Sequence, residues 1–154
     1  MNTLHLTSKT KRLISWVLVA LMACFIFYMS AKSGEQLDHG SGFFSTVKAW
    51  LSSTIEGFVG HSVDVSPIGH FTEFFLFGAT LLNALRWYIP LRTSGIAAIG
   101  IASLYGITDE LHQIFVPMRA CDPMDWVVDT CAAACAVLLI MVIATIKQRR
   151  TKSS

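Results

Sequence analysis

Charge is what this chain has least of: Asp, Glu, Lys and Arg make up 14% of its 154 residues, against about 25% in a soluble domain. With 53% apolar residues and a mean hydropathy of +0.56, an ordinary soluble globule is excluded. Cysteine is scarce too. Cys24, Cys121, Cys131 and Cys135 form no CxxC and no zinc-ribbon pattern, and Cys131 and Cys135, one helical turn apart, do not suit a disulfide. All four read as structural thiols, three of them in apolar runs where a thiol behaves as a small hydrophobe. There is no Walker motif, no glycine-rich dinucleotide turn and no interleaved basic and aromatic surface, so the signatures of nucleotide and nucleic-acid binding are missing. No internal repeat is present, and the length allows one small bundle without a soluble domain.

What the chain does have is apolar residues in bunches, the pattern of membrane-spanning helices. The first run, 13–31, follows Lys9, Lys11 and Arg12. It is too long for the core of a typical signal peptide, and Tyr28-Met29-Ser30-Ala31-Lys32 is a poor cleavage site, so it reads as an uncleaved first helix. The second, 67–85, opens on Pro67, which suits a first helical turn. The third, 93–108, is rich in Gly and Ala, so neighbouring backbones can approach closely. The fourth, 126–146, carries the small-residue stretch Cys131 to Ala136. Between the first two runs lies a polar loop, 33–42, and then an amphipathic segment, 43–59. There Phe43, Phe44, Val47, Trp50, Leu51, Ile55, Phe58 and Val59 form a helical stripe, with Ser45, Lys48, Ser52, Ser53 and Glu56 on the other side. It lacks an unbroken apolar run and is expected to lie in the membrane interface. The fold class is therefore all-α: a polytopic membrane protein with about four transmembrane helices plus an interfacial amphipathic helix, all one domain over 1–154.

The basic residues orient it. Four crossings put the N-terminal segment, the 86–92 turn and the C-terminal tail on one side. That side holds nine of the twelve Lys and Arg; Lys32, Lys48 and Arg119 are opposite. The positive-inside rule then places both termini in the cytoplasm. None of the ten acidic residues lies in those three segments. Acidic residues do little to set topology, so their bias calls for a functional cause.

Three helices carry ionisable groups to one depth. The second enters with His70 and Glu73, the third ends in Asp109, Glu110, His112 and Gln113, and the fourth begins with Asp125 and Asp129. Spacings of three or four place His70 by Glu73, Asp109 by His112 and Asp125 by Asp129. A charge at the centre of a spanning helix costs about 2.5–3.5 kcal/mol, so these groups should face one another or a watery cavity. Arg119 offers a planar donor pair for phosphate or carboxylate, and with Gln113 it is a candidate for substrate binding. Several chemistries remain open. His70, Glu73, Asp109 and His112 have helix-bundle metal spacings suited to a divalent ion such as zinc, manganese or iron. The same His and carboxylate groups suit general acid–base work on an anionic substrate. They also suit a proton or cation relay, although only Asn83 continues a polar path toward the cytoplasmic end. An interhelical network that merely fixes packing is the structural alternative.

Taken together, Phe27 to Gln36 (FYMSAKSGEQ), His70-Phe71-Thr72-Glu73-Phe74, Thr108 to Arg119 (TDELHQIFVPMR) and Asp125-Trp126-Val127-Val128-Asp129 resemble the VanZ-like membrane proteins, in the family's order over about 25–140. Two places depart from the pattern: Pro67-Ile68-Gly69 stands where basic residues are common, and Cys131-Ala132 stands where glycine is common. The resemblance implies a multi-pass protein in the cytoplasmic (inner) membrane of a bacterium. It also implies a cell-envelope role, associated in the family with low-level resistance to teicoplanin-type glycopeptides. The resulting expectation is an outward-facing pocket that recognises or modifies a lipid-linked or phosphate-bearing envelope intermediate. A non-catalytic accessory that binds a partner is the alternative and a proton- or cation-coupled transporter the third reading; catalysis itself is left open.

Reporter fusions test the charge argument directly. Fusions after Ile146 and within Arg86–Arg92 should read cytoplasmic, and fusions within Glu35–Asp64 external. An external C-terminus would reverse the orientation.

Overall fold

The computed structural model describes residues 7–33, 35–36 and 42–152. His5, Gly34, His39 and most of the expected 33–42 loop lie outside them. Five main helices run through the described residues, with no strand among them: α1 (Ser8–Ser30), α2 (Phe43–Val59), α3 (Ser66–Leu85), α4 (Leu91–Gln113) and α5 (Pro123–Lys152).

Local chemistry sets their starts. Thr7 caps α1 by accepting the Thr10 N–H on its hydroxyl at 3.2 Å. Pro67 lies in the first turn of α3, where its missing N–H has no helical partner to lose. Asp122 accepts the Met124 N–H at 2.8 Å at the head of α5. The ends reach further than apolarity alone indicates. α4 continues beyond Thr108 to Gln113, and α5 starts at Pro123 and runs past Ile146. Polar residues at a helix end do not stop the backbone ladder, and here the acidic group of α4 is carried on regular helix.

Four helices form an up-and-down bundle. Tyr105 of α4 donates to the Ala23 carbonyl of α1 at 2.7 Å, and His112 stacks on Phe27, so α1 and α4 run parallel. His70 meets Asp129 and Gly78 meets Ala133, so α3 and α5 run parallel as well, opposite to the other two. At one end Asn83 and Trp87 donate to the Ser15 hydroxyl at 3.0 and 3.3 Å. Arg12 lies over the Trp87 and Tyr88 rings nearby. That end also receives the tail of α5. The other end holds His70, Asp109 and Asp129.

α1, α3 and α5 are each long and apolar enough to cross a membrane by length and composition. α4 is as long as α1, about 35 Å at 1.5 Å per residue, but Ser94, Gly95, Gly100, Ser103 and the Asp109–Glu110 pair dilute it. It earns its place by packing instead: Ser94, Ala98, Ala102 and Gly106 are all buried. The core is formed by Ile26, Phe74, Phe77, Leu81, Leu82, Ala98, Ala102, Ala132, Ala133 and Val137. The four cysteines are free and exposed on helix or loop surfaces rather than in this core.

α2 departs from the expected two-sided pattern. Phe44, Val47 and Leu51 turn toward the bundle, and Lys48 lies with them rather than on the opposite side. Phe43, Trp50 and Phe58 are 75%, 64% and 89% exposed, so the expected apolar stripe is split between two directions.

Close packing of α3 on α5 depends on Gly78. A Cβ there would come within 2.8 Å of the Ala133 Cα, so backbone would have to move. Overpacking of this kind costs about 1–3 kcal/mol. Gly78→Ala should therefore lower thermal stability in detergent, whereas Gly100→Ala, which meets nothing within 4 Å, should leave it unchanged or raise it. Equal behaviour of the two variants would contradict this packing.

Candidate functional site

The end of the bundle away from Arg12 gathers side chains from three helices. α3 supplies His70 and Glu73, α4 supplies Asp109, Glu110 and Gln113, and α5 supplies Asp125 and Asp129. His70, Asp109, Glu110, Gln113 and Asp129 are all buried. His70 Nδ1 and Asp129 Oδ1 share a hydrogen bond at 3.1 Å, tying α3 to α5, and His70 Nε2 lies 3.7 Å from Asp125 Oδ2. The Gln113 amide donates to Asp109 Oδ2 at 3.1 Å and to Glu110 Oε1 at 3.3 Å. Glu110 Oε2 accepts the Asp122 N–H at 2.7 Å. Both Glu110 oxygens are thus held, one by its own helix and one by the loop before α5.

Asp129 is also confined on its α4 side. A Cβ on Gly106 would lie 3.1 Å from Asp129 Oδ2 and 3.3 Å from Trp126 Cδ1, so glycine on α4 leaves the room this carboxyl occupies. Trp126 donates its indole N–H to the Ser103 carbonyl and hydroxyl, both at 3.1 Å, and Thr130 pairs with the same hydroxyl at 3.0 Å. These contacts lock the rotation of α5 against α4. The Ser103 network leaves no trace in the sequence, because hydroxyls inside helices carry no spacing signal of their own.

Arg119 arrives from the 114–122 loop. Met118 before it has φ 58°, a left-handed conformation that costs a non-glycine residue about 1–3 kcal/mol, and the Arg119 N–H closes a turn on the Val116 carbonyl at 3.2 Å. The side chain is half-buried among acids, acting electrostatically on Asp64, Glu73 and Asp125. Its Nε is buried without a hydrogen-bond partner among the described residues. Asp64, in the loop before α3, is partly desolvated, which raises its pKa. Hydrogen bonding to Ser66 and the charges of Lys48 and Arg119 outweigh that and hold the carboxyl below the ordinary aspartate range. It is ionised at neutral pH.

A cavity of about 260 Å³ opens beside this group. Its walls are Phe25, Met29 and Ser30 of α1, Phe44, Val47, Lys48 and Leu51 of α2, Val65, and Ser66, Ile68, Gly69, His70, Thr72 and Glu73 of α3. Asp109 and Arg119 complete it. Of the residues singled out from sequence, His70, Glu73, Asp109 and Arg119 line the cavity. Glu110, Gln113, Asp125 and Asp129 stand in or beside the charged group next to it. His112 turns to α1 instead, stacking on Phe27 with ring centroids 4.6 Å apart. Lys48, Ser30 and Thr72 line the cavity without having been singled out. Lys48 had a signal, as the sole charge among the apolar residues of the first half of α2.

His70, Glu110 and Asp129 each offer a donor atom within 4.8 Å of the other two. That group shares only His70 with the four metal candidates taken from helical spacing, since it draws one residue from each of three helices.

The family model for VanZ/LLP1 matches residues 15–144. No curated protein and no solved structure matches the chain.

The His70–Asp129 contact gives a test of how tightly the site is coupled. In a double-mutant cycle with His70→Ala and Asp129→Ala, thermal stability in detergent should show a non-additive term of about 0.5–3 kcal/mol. Each single variant leaves a buried polar partner unpaired. Additive losses would mean that the two side chains do not act on each other.

Proposed function

This chain belongs to the VanZ/LLP1 family, and on that premise we propose that it binds a phosphate-bearing, lipid-linked intermediate of the cell envelope at the outer face of a bacterial cytoplasmic membrane. In this reading α1, α3, α4 and α5 all cross the bilayer, with the Arg12, Arg86, Arg92 and Lys147 end in the cytoplasm. α2 lies in the outer interface, its exposed Trp50 and Phe58 turned to lipid and Phe44, Val47 and Leu51 turned to the cavity.

One observation carries the reading: the cavity joins an apolar wall from α1 and α2 to two cationic side chains, Lys48 and Arg119. A wholly polar ligand would leave Phe25, Met29, Phe44, Val47 and Leu51 unused, and a neutral lipid would leave Arg119 unused. An amphiphile with a phosphate uses both. The guanidinium of Arg119 has the planar fork that matches phosphate oxygens, and its buried Nε lacks a partner among the described residues. Glu73 and Asp109 give the inner wall oxygen acceptors, so the donors that a phosphate headgroup needs are at Arg119 and Lys48. A link to glycopeptide susceptibility then follows from control over envelope precursors at the outer leaflet.

Binding can be measured on the full chain in nanodiscs, comparing a polyprenyl phosphate with the polyprenol of equal length. The phosphate should bind more tightly. Loss of a charge-assisted contact worth about 1.5–3 kcal/mol predicts that Arg119→Met weakens phosphate-lipid binding about tenfold or more while hardly changing polyprenol. Equal affinity for the two lipids, or an unaltered preference in Arg119→Met, would overturn the proposal.

A further inference from the structure

His70, Glu110 and Asp129 come from three separate helices, and among the described residues each offers a donor atom within 4.8 Å of the other two. They are 8%, 3% and 0% exposed. We propose that these three side chains hold one divalent first-row metal ion, of the zinc or manganese class, behind the cavity.

The geometry needs little change. Ligand bonds of about 2.0–2.2 Å bring donor atoms about 3–4 Å from one another, so closure by roughly an ångström suffices. One imidazole and two carboxylates form a donor set that zinc, manganese and iron accept, and three protein ligands leave further coordination positions open. His70 also lines the cavity, which gives the ion an entry path and places an open position toward it.

A packing network explains the group less well. Such networks persist in apolar surroundings by satisfying every member, yet Asp129, wholly buried with its carboxyl aimed at His70 and Glu110, leaves Oδ2 without a hydrogen-bond partner among the described residues. Carboxyl groups crowd the same place: Asp129, Asp125 and Asp109 act on His70, and His70 in turn acts on Glu73. The supporting contacts resemble those that orient metal ligands. The Gln113 amide and the Asp122 N–H hold the two oxygens of Glu110, and Gly106 keeps space for the Asp129 carboxyl.

The inference does not rest on the phosphate-lipid reading, and its test uses metal alone. Full-length protein, purified in detergent and stripped with a chelator, is titrated with zinc and with manganese by calorimetry. One of the two should bind saturably at one ion per chain and raise thermal stability. Asp129→Asn and Glu110→Gln preserve volume and should weaken binding about tenfold or more, while Glu56→Gln on α2 should not. Manganese spin-echo spectroscopy should show coupling to a ligand nitrogen that His70→Gln removes, a readout that a folding defect alone does not produce while manganese remains bound. Absence of saturable binding by both metals, binding unaffected by Asp129→Asn and Glu110→Gln, or nitrogen coupling that survives in His70→Gln would each overturn the assignment.

Discussion

A carboxylate inside an apolar bundle must find a hydrogen bond or a counter-charge, and in this protein that requirement is met chiefly around His70 and Asp129. Their contact fixes α3 against α5. The rest of the bundle is arranged so that this contact can exist. α5 lies close to α3 because Gly78 presents no side chain to Ala133, and α4 lies close to Asp129 because Gly106 presents none. Small residues on the helix faces are therefore more than a general aid to membrane packing. They set the separations at which short acidic side chains from α4 and α5 and a ring from α3 reach the same space. Lengthening any of those separations would leave buried charge unpaired, which is more damaging than loss of an equal area of apolar contact.

The two ends of the bundle solve the polar problem differently. Around Ser15, Asn83 and Trp87 the groups are neutral and satisfy one another, with Arg12 placed over aromatic faces. Around His70 the groups are ionisable, come from three helices, and border a cavity. Neutral hydrogen bonds suffice to fix helix register, as the Tyr105 bond to the Ala23 carbonyl also does. The ionisable cluster is the costlier arrangement for that purpose alone, and in the proposed reading its placement beside a cavity serves ligand binding.

Much of the architecture was legible from the sequence because burial in a membrane leaves a strong one-dimensional trace. The all-helical class, the 43–59 segment and the helical start at Pro67 follow from apolar runs, a periodic stripe and proline chemistry, and the helices formed match them. The boundaries at 108, 126 and 146 were drawn where apolarity fades, but the backbone ladder continues through charged residues; Gln113 even bonds back to Asp109 across one turn. The direction of each side chain was less legible. Spacing put His112 with Asp109, yet α1 offers Phe27 as a closer stacking surface. Spacing also put Lys48 on a polar face, although a helix between a cavity and its surroundings has no single polar side. Depth along a helix could be counted from the sequence; rotation about it depended on partners such as Ser103, Gly106 and Ala23, which carry no charge signature.

α2 links the cluster to its surroundings. Without it, Phe25, Met29 and Val65 would border open space beside the acids, and the cavity would be a shallow groove. With it, Phe44 packs on Phe25 at a centroid distance of 5.7 Å, and Ser52 reaches the Val63 carbonyl in the loop that leads into α3. The remaining apolar residues of α2 face away from the bundle, so the helix is held on one side by few contacts and on the other by whatever apolar medium surrounds it. In the proposed reading an amphiphile drawn from that medium meets α2 first, lays its apolar part against the wall from α1 and α2, and keeps its polar group beside Arg119. A soluble ligand would gain nothing from that route. In the proposed reading the placement of the apolar wall, more than the identity of any single ionisable group, suits the site to a lipid-borne ligand.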